Sequence, residues 1–441
     1  MKVIVRMFVF LALPTIGLAD PQLASWFTVH SDQPARIYRS DADRVAGESE
    51  MTWSNGRQTQ AQPTRTGVQQ IYYSANWIYI RSTGLPSQIM GPWYMDPQHY
   101  RAFPNLPMSQ NLLLALPRHP MVATSGGEEP HGEIGITVDG VRFFDDTDSF
   151  SYSHEHGMDA SPRARIGQGD QIWNRDAMVN EGQTFDPGMG HQENWGHYHY
   201  HAEAIALRYE LGDHVDFDTA AKTYRESAGE PVRHSPIIAW LYDGYPVYGP
   251  YGYANPTNPA SGLRRMTSGY VLRNGEKGTD NLADTGRRTL PAWQARVADR
   301  SADLAADETG PAVSTRYPLG HYLQDYAYRG DLGQVAGRDF DLDEHNGRWC
   351  VTPEFPKGTY AYFTTIDANG RPVYPYTMGR TFHGQPVGQT LRRIAEPVTT
   401  YFNSITGATE NAAAAVPGTA TTSLVWHSEN GGDYQPGSSH P

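Results

Sequence analysis

Four of the chain's 17 histidines fall within eleven residues, His191-Gln192-Glu193-Asn194-Trp195-Gly196-His197-Tyr198-His199-Tyr200-His201. Neutral imidazole binds zinc, copper, iron and nickel, so this density points to a transition-metal site rather than a stack of cations. If Tyr198 to His201 runs as a strand, the two-residue period puts His197, His199 and His201 on one face. Tyr198 and Tyr200 then pack beneath the strand, behind the ligands. Histidines two apart on a strand stand about 6.5–7 Å apart at Cα, so two rings reach one ion but three in succession do not. The expected metal ligands are therefore His199 and His201, with a third from His191 or His234 and with copper or zinc as the ion.

Carboxylates surround the cluster in sequence. Glu181, Asp186 and Glu193 precede it, and Asp243 follows the second segment, His234-Ser235-Pro236-Ile237-Ile238. A ligating histidine usually donates its other ring N–H to a carboxylate or carbonyl, which makes Asp243 a candidate for a place behind the ligands. Glu181 and Asp186 are candidates for a ligand or a general base. Gly182, Gly188, Gly190 and Gly196 crowd the same stretch, as in a tight loop wrapped around a site.

Two other chemistries are weaker. Ser235 adjoins His234, but no Gly-x-Ser-x-Gly elbow is present and neighbouring strand residues point to opposite faces. Asp339-Phe-Asp341-Leu-Asp343-Glu-His345-Asn346-Gly347 resembles the start of a calcium loop. Glu344 stands where that loop needs glycine and Cys350 where it needs a bidentate glutamate. An acidic strand facing solvent is the expectation there, with calcium as the alternative.

The elements that must position these residues read as strands and turns. Gly (44), Pro (32) and an aromatic fraction of 12% favour them over long helices. Ile71 to Arg81 is the strongest strand candidate, and Leu112 to Leu116 is too short to assign. Asp139-Gly140, Asp243-Gly244 and Asn369-Gly370 each sit between apolar runs, the best short-range hairpin signal. The last two share a following x-Pro-Val-Tyr, read as convergent hairpin chemistry and not as a repeat. A surface helix is expected within 289–307, and 255–288 is turn-rich, an excursion from the core. The expected class is mainly β: antiparallel strands and hairpins in a sandwich- or barrel-like arrangement with a few short helices.

Residues 1–19 read as a signal peptide, with Lys2 and Arg6 before an apolar run and small residues at Gly17 and Ala19. This predicts a secreted or periplasmic protein. The lone Cys350 allows no intrachain disulfide. A net charge of −13 without a basic run argues against a nucleic-acid partner, and no apolar run has the length of a membrane span. The expected organisation is the leader, a β-rich region over 20–124, a main domain over 125–405 and a loosely ordered tail over 406–441.

Tyr198-His199-Tyr200-His201, preceded by WNRDAMVNEG (173–182) and followed by HSPIIAW and YDGYPVYGPYG (234–252), resembles the YHYH protein family. LDEHNGRWCVTPEFPKGTYAYF (342–363) and the Pro-Val-Tyr-Pro-Tyr run at 372–376 resemble its C-terminal part. The resemblance implies that His199, His201 and their tyrosines form a shared site, and with them His191, His234 and Asp243, but it names no reaction. Three functions are carried forward: a metal-binding protein, a metal-dependent enzyme (hydrolytic with zinc or oxidative with copper), and an adhesion or glycan-binding module built on aromatics.

Overall fold

Two Asp-Gly turns stand at the centre of the structure. A computed structural model describes residues 20–124, 132–406 and 408–409. The leader at 1–19, the boundary drawn at 125 and the tail from 410 lie outside the described residues. In the first hairpin Gly140 N–H donates to Thr137 O and Thr137 N–H to Val141 O. The second repeats this with Gly244 to Leu241 and Leu241 to Tyr245. Both glycines adopt left-handed φ, 88° and 83°, which lets a three-residue loop reverse the chain.

Most strands belong to two sheets. In chain order they are β1 (Val68–Tyr73), β2 (Trp77–Ser82), β3 (Leu112–Pro117), β4 (Glu133–Thr137), β5 (Arg142–Phe144), β6 (Gly190–Gln192) and β7 (Tyr198–Tyr200). They continue as β8 (Ile237–Leu241), β9 (Pro246–Tyr248), β10 (Gly347–Cys350), β11 (Thr359–Phe363), β12 (Gln389–Thr390), β13 (Thr399–Asn403) and β14 (Ala408–Thr409). A six-stranded antiparallel sheet runs β12-β3-β2-β1-β13-β14. An eight-stranded mixed sheet runs β6-β7-β5-β4-β8-β9-β11-β10. The class is mainly β as expected, with several antiparallel sheets and, among the described residues, no closed barrel. One apolar core joins Leu23, Trp26, Ile71 and Leu114 to Phe143, Tyr198, Trp240, Val247 and Tyr362, so residues of both sheets exclude water together.

The eight-stranded sheet reads the same from either end. Its outer pairs are antiparallel, the next are parallel, and the rest are antiparallel. Chain order matches too: β4, β5, β6 and β7 take the places that β8, β9, β10 and β11 take on the other side. The register of the central pair is itself two-fold. Ala239 faces Thr137, Trp240 faces Ile136 and Leu241 faces Gly135, an arrangement centred on Ile136 and Trp240. The sheet is thus two copies of one four-strand unit. The sequence pointed to Asp243-Gly244 and Asn369-Gly370 as the similar pair and to no repeat. The matching turns are Asp139-Gly140 and Asp243-Gly244, and the units diverge elsewhere in length and residue type.

Each unit carries the same loop before its outer strand pair. Asp186 N–H donates to Gly190 O (2.9 Å) and Asp343 N–H to Gly347 O (2.8 Å). Met189 and Asn346, just before those glycines, both take left-handed φ, 73° and 61°. A Cβ on Gly190 or Gly347 would lie 2.4 Å from the hydroxyl of Tyr198 or Tyr360, so only glycine lets each ring cross beneath the chain.

Several local expectations change. Leu112–Pro117 is a fully buried strand. The surface helix over 289–307 shrinks to Ala292–Val297. Asp299 takes a left-handed φ of 47° and turns the chain back, so that Leu290 N–H reaches Ala302 O. The acidic stretch is no solvent-facing strand: Asp341 and Leu342 are buried, and strand β10 begins only at Gly347. Gly347→Ala is expected to cost about 1–3 kcal/mol of stability by overpacking against Tyr360, read as a lower midpoint in chemical denaturation.

Candidate metal centre

Strands β6 and β7 form the edge of the eight-stranded sheet, with His191 directly opposite His199. His201 follows two residues later on the same face, just past β7. All three rings are buried, at 4%, 3% and 4% exposure. Their Nε2 atoms converge: His191 to His199 is 3.1 Å and His199 to His201 is 3.2 Å. Among the described residues, this is the one group of three or more histidine, cysteine or acidic side chains with the spacing of a metal site.

The far ring nitrogens are all engaged. His199 Nδ1 meets His197 O at 2.8 Å and His201 Nδ1 meets Asp145 O at 2.6 Å. Carbonyl oxygens only accept, so both nitrogens carry hydrogen. His191 Nδ1 meets Thr184 Oγ1 at 2.7 Å, and that hydroxyl already donates to Glu181 O. His191 Nδ1 is therefore a donor as well. This network puts a hydrogen on Nδ1 of all three rings, so each ring in its neutral form turns a bare Nε2 towards one point.

Phenylalanines wall the cluster. Phe144 stacks on His199 at 4.2 Å, Phe185 meets His191 edge-on at 4.6 Å, and Phe103 lies 6.0 Å from His191. Burial lowers the pKa of His191 to about 4 and pushes that of His199 well below its ordinary value. Burial also works against a charge on His201, but its hydrogen bond and proximity to Glu181 outweigh it and raise its pKa. Glu181 Oε2 stands 3.4 Å from His201 Nε2 and 3.6 Å from His191 Nε2. Desolvation works against the Glu181 charge, yet the two histidines hold its pKa below the usual value.

Of the two alternatives for a third ligand, the structure brings in His191. His234 stands apart, its ring packed edge-on against Tyr248 and Tyr253 at 5.0 and 4.9 Å and its Nδ1 donating to Ser235 O. It belongs to the other four-strand unit, where no second histidine faces it at ligand spacing. Asp243 is there too, accepting from Tyr362 Oη and from the Tyr245 and Gly384 amides. It is not behind the histidines. Asp186 is engaged beneath the strand: its oxygens accept from the Gly91, Gly188 and Gly190 amides and from Tyr198 Oη. Burial raises its pKa to about 6 against those hydrogen bonds. Tyr200 Oη accepts from Gln88, and both tyrosines are buried beneath the strand as expected.

His197 contributes its carbonyl to His199, while its own ring lies 3.3 Å from Glu193 Oε1. The calcium alternative does not hold. Asp339 pairs with Arg338, Asp341 with Arg264, and Asp343 with Tyr360 Oη, so the three carboxylates do not converge. Ser235 Oγ donates to Asp213 and makes no bond with the His234 ring. Sequence reasoning missed Thr184, the Asp145 carbonyl and the phenylalanines. Thr184 lay within reach, between Glu181 and Asp186. A backbone carbonyl and a distant Phe103 leave no sequence signal.

A mainly-β protein with three inward-facing histidines on one sheet edge is the class that this geometry defines. The YHYH protein family model matches residues 114–374, and the chain belongs to that family. No curated protein and no solved structure matches it. The motif's alternation has a physical reading: its tyrosines point into the core and its histidines into the site. Tyr198→Phe is expected to lower stability by about 1–3 kcal/mol, because Asp186 stays buried with one donor fewer, and thermal and chemical denaturation would show it.

Proposed function

We propose that this protein binds one transition-metal ion, copper or zinc, through Nε2 of His191, His199 and His201. The contact between His191 and His199 carries the reading. Both rings spend their single hydrogen on Nδ1, so two bare lone pairs face each other at 3.1 Å in a buried site. A proton on His201 relieves its own contact with His199 and leaves this one without a donor. A cation between the lone pairs removes the repulsion and replaces the water that burial has taken away. Nitrogen ligands favour copper and zinc over calcium or magnesium, which take oxygen. The leader-like start makes a secreted or periplasmic location part of the proposal.

Binding without turnover, for sequestration or delivery, is the primary reading. One observation favours the second, a metal-dependent enzyme. Glu181 is 30% exposed beside histidines of 3–5%, so a carboxylate stands where a water or substrate meets the ion. Zinc there supports hydrolysis and copper supports oxidation, with Glu181 placed to hold or take a proton.

Elemental analysis of untagged protein is expected to find about one equivalent of copper or zinc. The double variant His199→Ala/His201→Ala is expected to lose it with near-native circular dichroism. Unchanged stoichiometry in that variant would remove the assignment. Thr184→Val takes away the acceptor that orients His191 and is expected to weaken binding by about 10–100-fold, the usual effect of losing such a partner. Competition titration against a chelator measures it.

A further inference from the structure

Glu181 is held by the same groups that orient the histidines. Its carbonyl accepts from Thr184 Oγ1 at 2.7 Å, and that oxygen accepts from His191 Nδ1. The short helix that ends on it, Ala177–Glu181, starts from Asp176, whose side chain accepts from Val179 N–H. Ala177 N–H donates to Asp146 O, one residue beyond the carbonyl that takes His201 Nδ1. One tether thus runs to His191 and another to His201, so the backbone that carries the carboxylate has a fixed place relative to both rings.

The carboxylate itself is at ligand spacing from two of the three rings. An ion about 2.0–2.1 Å from each ligand atom in tetrahedral geometry sets neighbouring ligands about 3.3–3.4 Å apart. The histidine nitrogens stand 3.1 and 3.2 Å apart, and Glu181 Oε2 stands 3.4 and 3.6 Å from two of them. We infer that Glu181 is the fourth ligand of the metal centre, closing a three-histidine, one-carboxylate shell on its exposed side. This rests on the proposed metal binding and goes beyond it. The imidazoles are locked by buried hydrogen bonds, whereas the carboxylate is the least buried member of the set. It is the ligand that an incoming anion displaces, which makes Glu181 the gate between the ion and anything that reacts there.

Cobalt(II) is the probe, because its visible bands report the number and kind of ligands. The wild-type protein is expected to bind one equivalent with the intense bands of a four-coordinate ion. Glu181→Gln, nearly the same shape, is expected to keep one equivalent with shifted, weaker bands and affinity reduced by about tenfold or more. In Glu181→Ala, added acetate is expected to bring back the wild-type bands. Bands and affinity unchanged in Glu181→Gln would overturn the inference and leave Glu181 as a counter-charge to His201. If His199→Ala/His201→Ala retains the cobalt, or the wild-type protein takes up none, the metal reading falls and this inference falls with it. The two failures are therefore distinguishable.

Discussion

A carboxylate buried away from water must be surrounded by donors, and that demand shapes both ends of the eight-stranded sheet. Asp186 collects the Gly91, Gly188 and Gly190 amides and the Tyr198 hydroxyl. Asp343 collects the His345 and Gly347 amides and the Tyr360 hydroxyl. To bring those amides onto one carboxylate the loop must curl through a left-handed residue and then a glycine. To bring the hydroxyl in, the ring must pass under that glycine. The edge strands then have one register available, because a slip of one residue would send the tyrosine outward and leave the carboxylate without its donor.

This division of labour separates the fold from the chemistry. In the register of the two units, Tyr198 and Tyr200 correspond to Tyr360 and Tyr362, while His191, His199 and His201 correspond to Arg348, Ala361 and Phe363. The core-facing positions are tyrosine in both. The positions on the opposite face of the sheet are histidine in one unit only. In the other they fill space: the Arg348 guanidinium lies over the Phe363 ring and donates to Tyr253 O. The same scaffold thus closes one face with a cation on an aromatic ring and leaves the other lined with lone pairs. A packing role does not explain the histidines, since the second unit packs without them.

Much of the fold was legible because its strongest signals are local. The Asp-Gly turns and the tyrosine–histidine alternation each follow from a few neighbouring residues. The aromatic run at 71–81, read as one strand, is instead a hairpin: β1 ends at Tyr73, Ser74 N–H donates to Trp77 O, and β2 runs back antiparallel from Trp77. The repeat was not legible, since its corresponding positions share geometry and only scattered identities: Asp139-Gly140 with Asp243-Gly244, Asp186 with Asp343, Gly190 with Gly347. His191 was legible only as one of two alternatives, because opposition across a hairpin depends on a register that the intervening loop sets. His234 looked equivalent in sequence, next to a strand and a Pro turn. Its unit has no histidine on the facing strand to meet it.

Charge balance bears on why the centre lies where it does. With the proposed divalent ion bound, three neutral imidazoles and one carboxylate would leave one positive charge in a site walled by Phe103, Phe144 and Phe185. An uncompensated charge there is costly. Behind His201, Asp145 and Asp146 both pair with the Arg380 guanidinium, at 3.4 and 2.5 Å. The guanidinium and the carboxylates form one buried cluster, in which burial raises the Asp145 pKa to about 7 against the pull of Arg380. The Asp145 carbonyl that orients His201 belongs to the same short segment, so the piece of chain that fixes this ring is itself anchored on Arg380. A carboxylate at the mouth suits a cation at the centre, and an anion that enters there has Glu181 to displace.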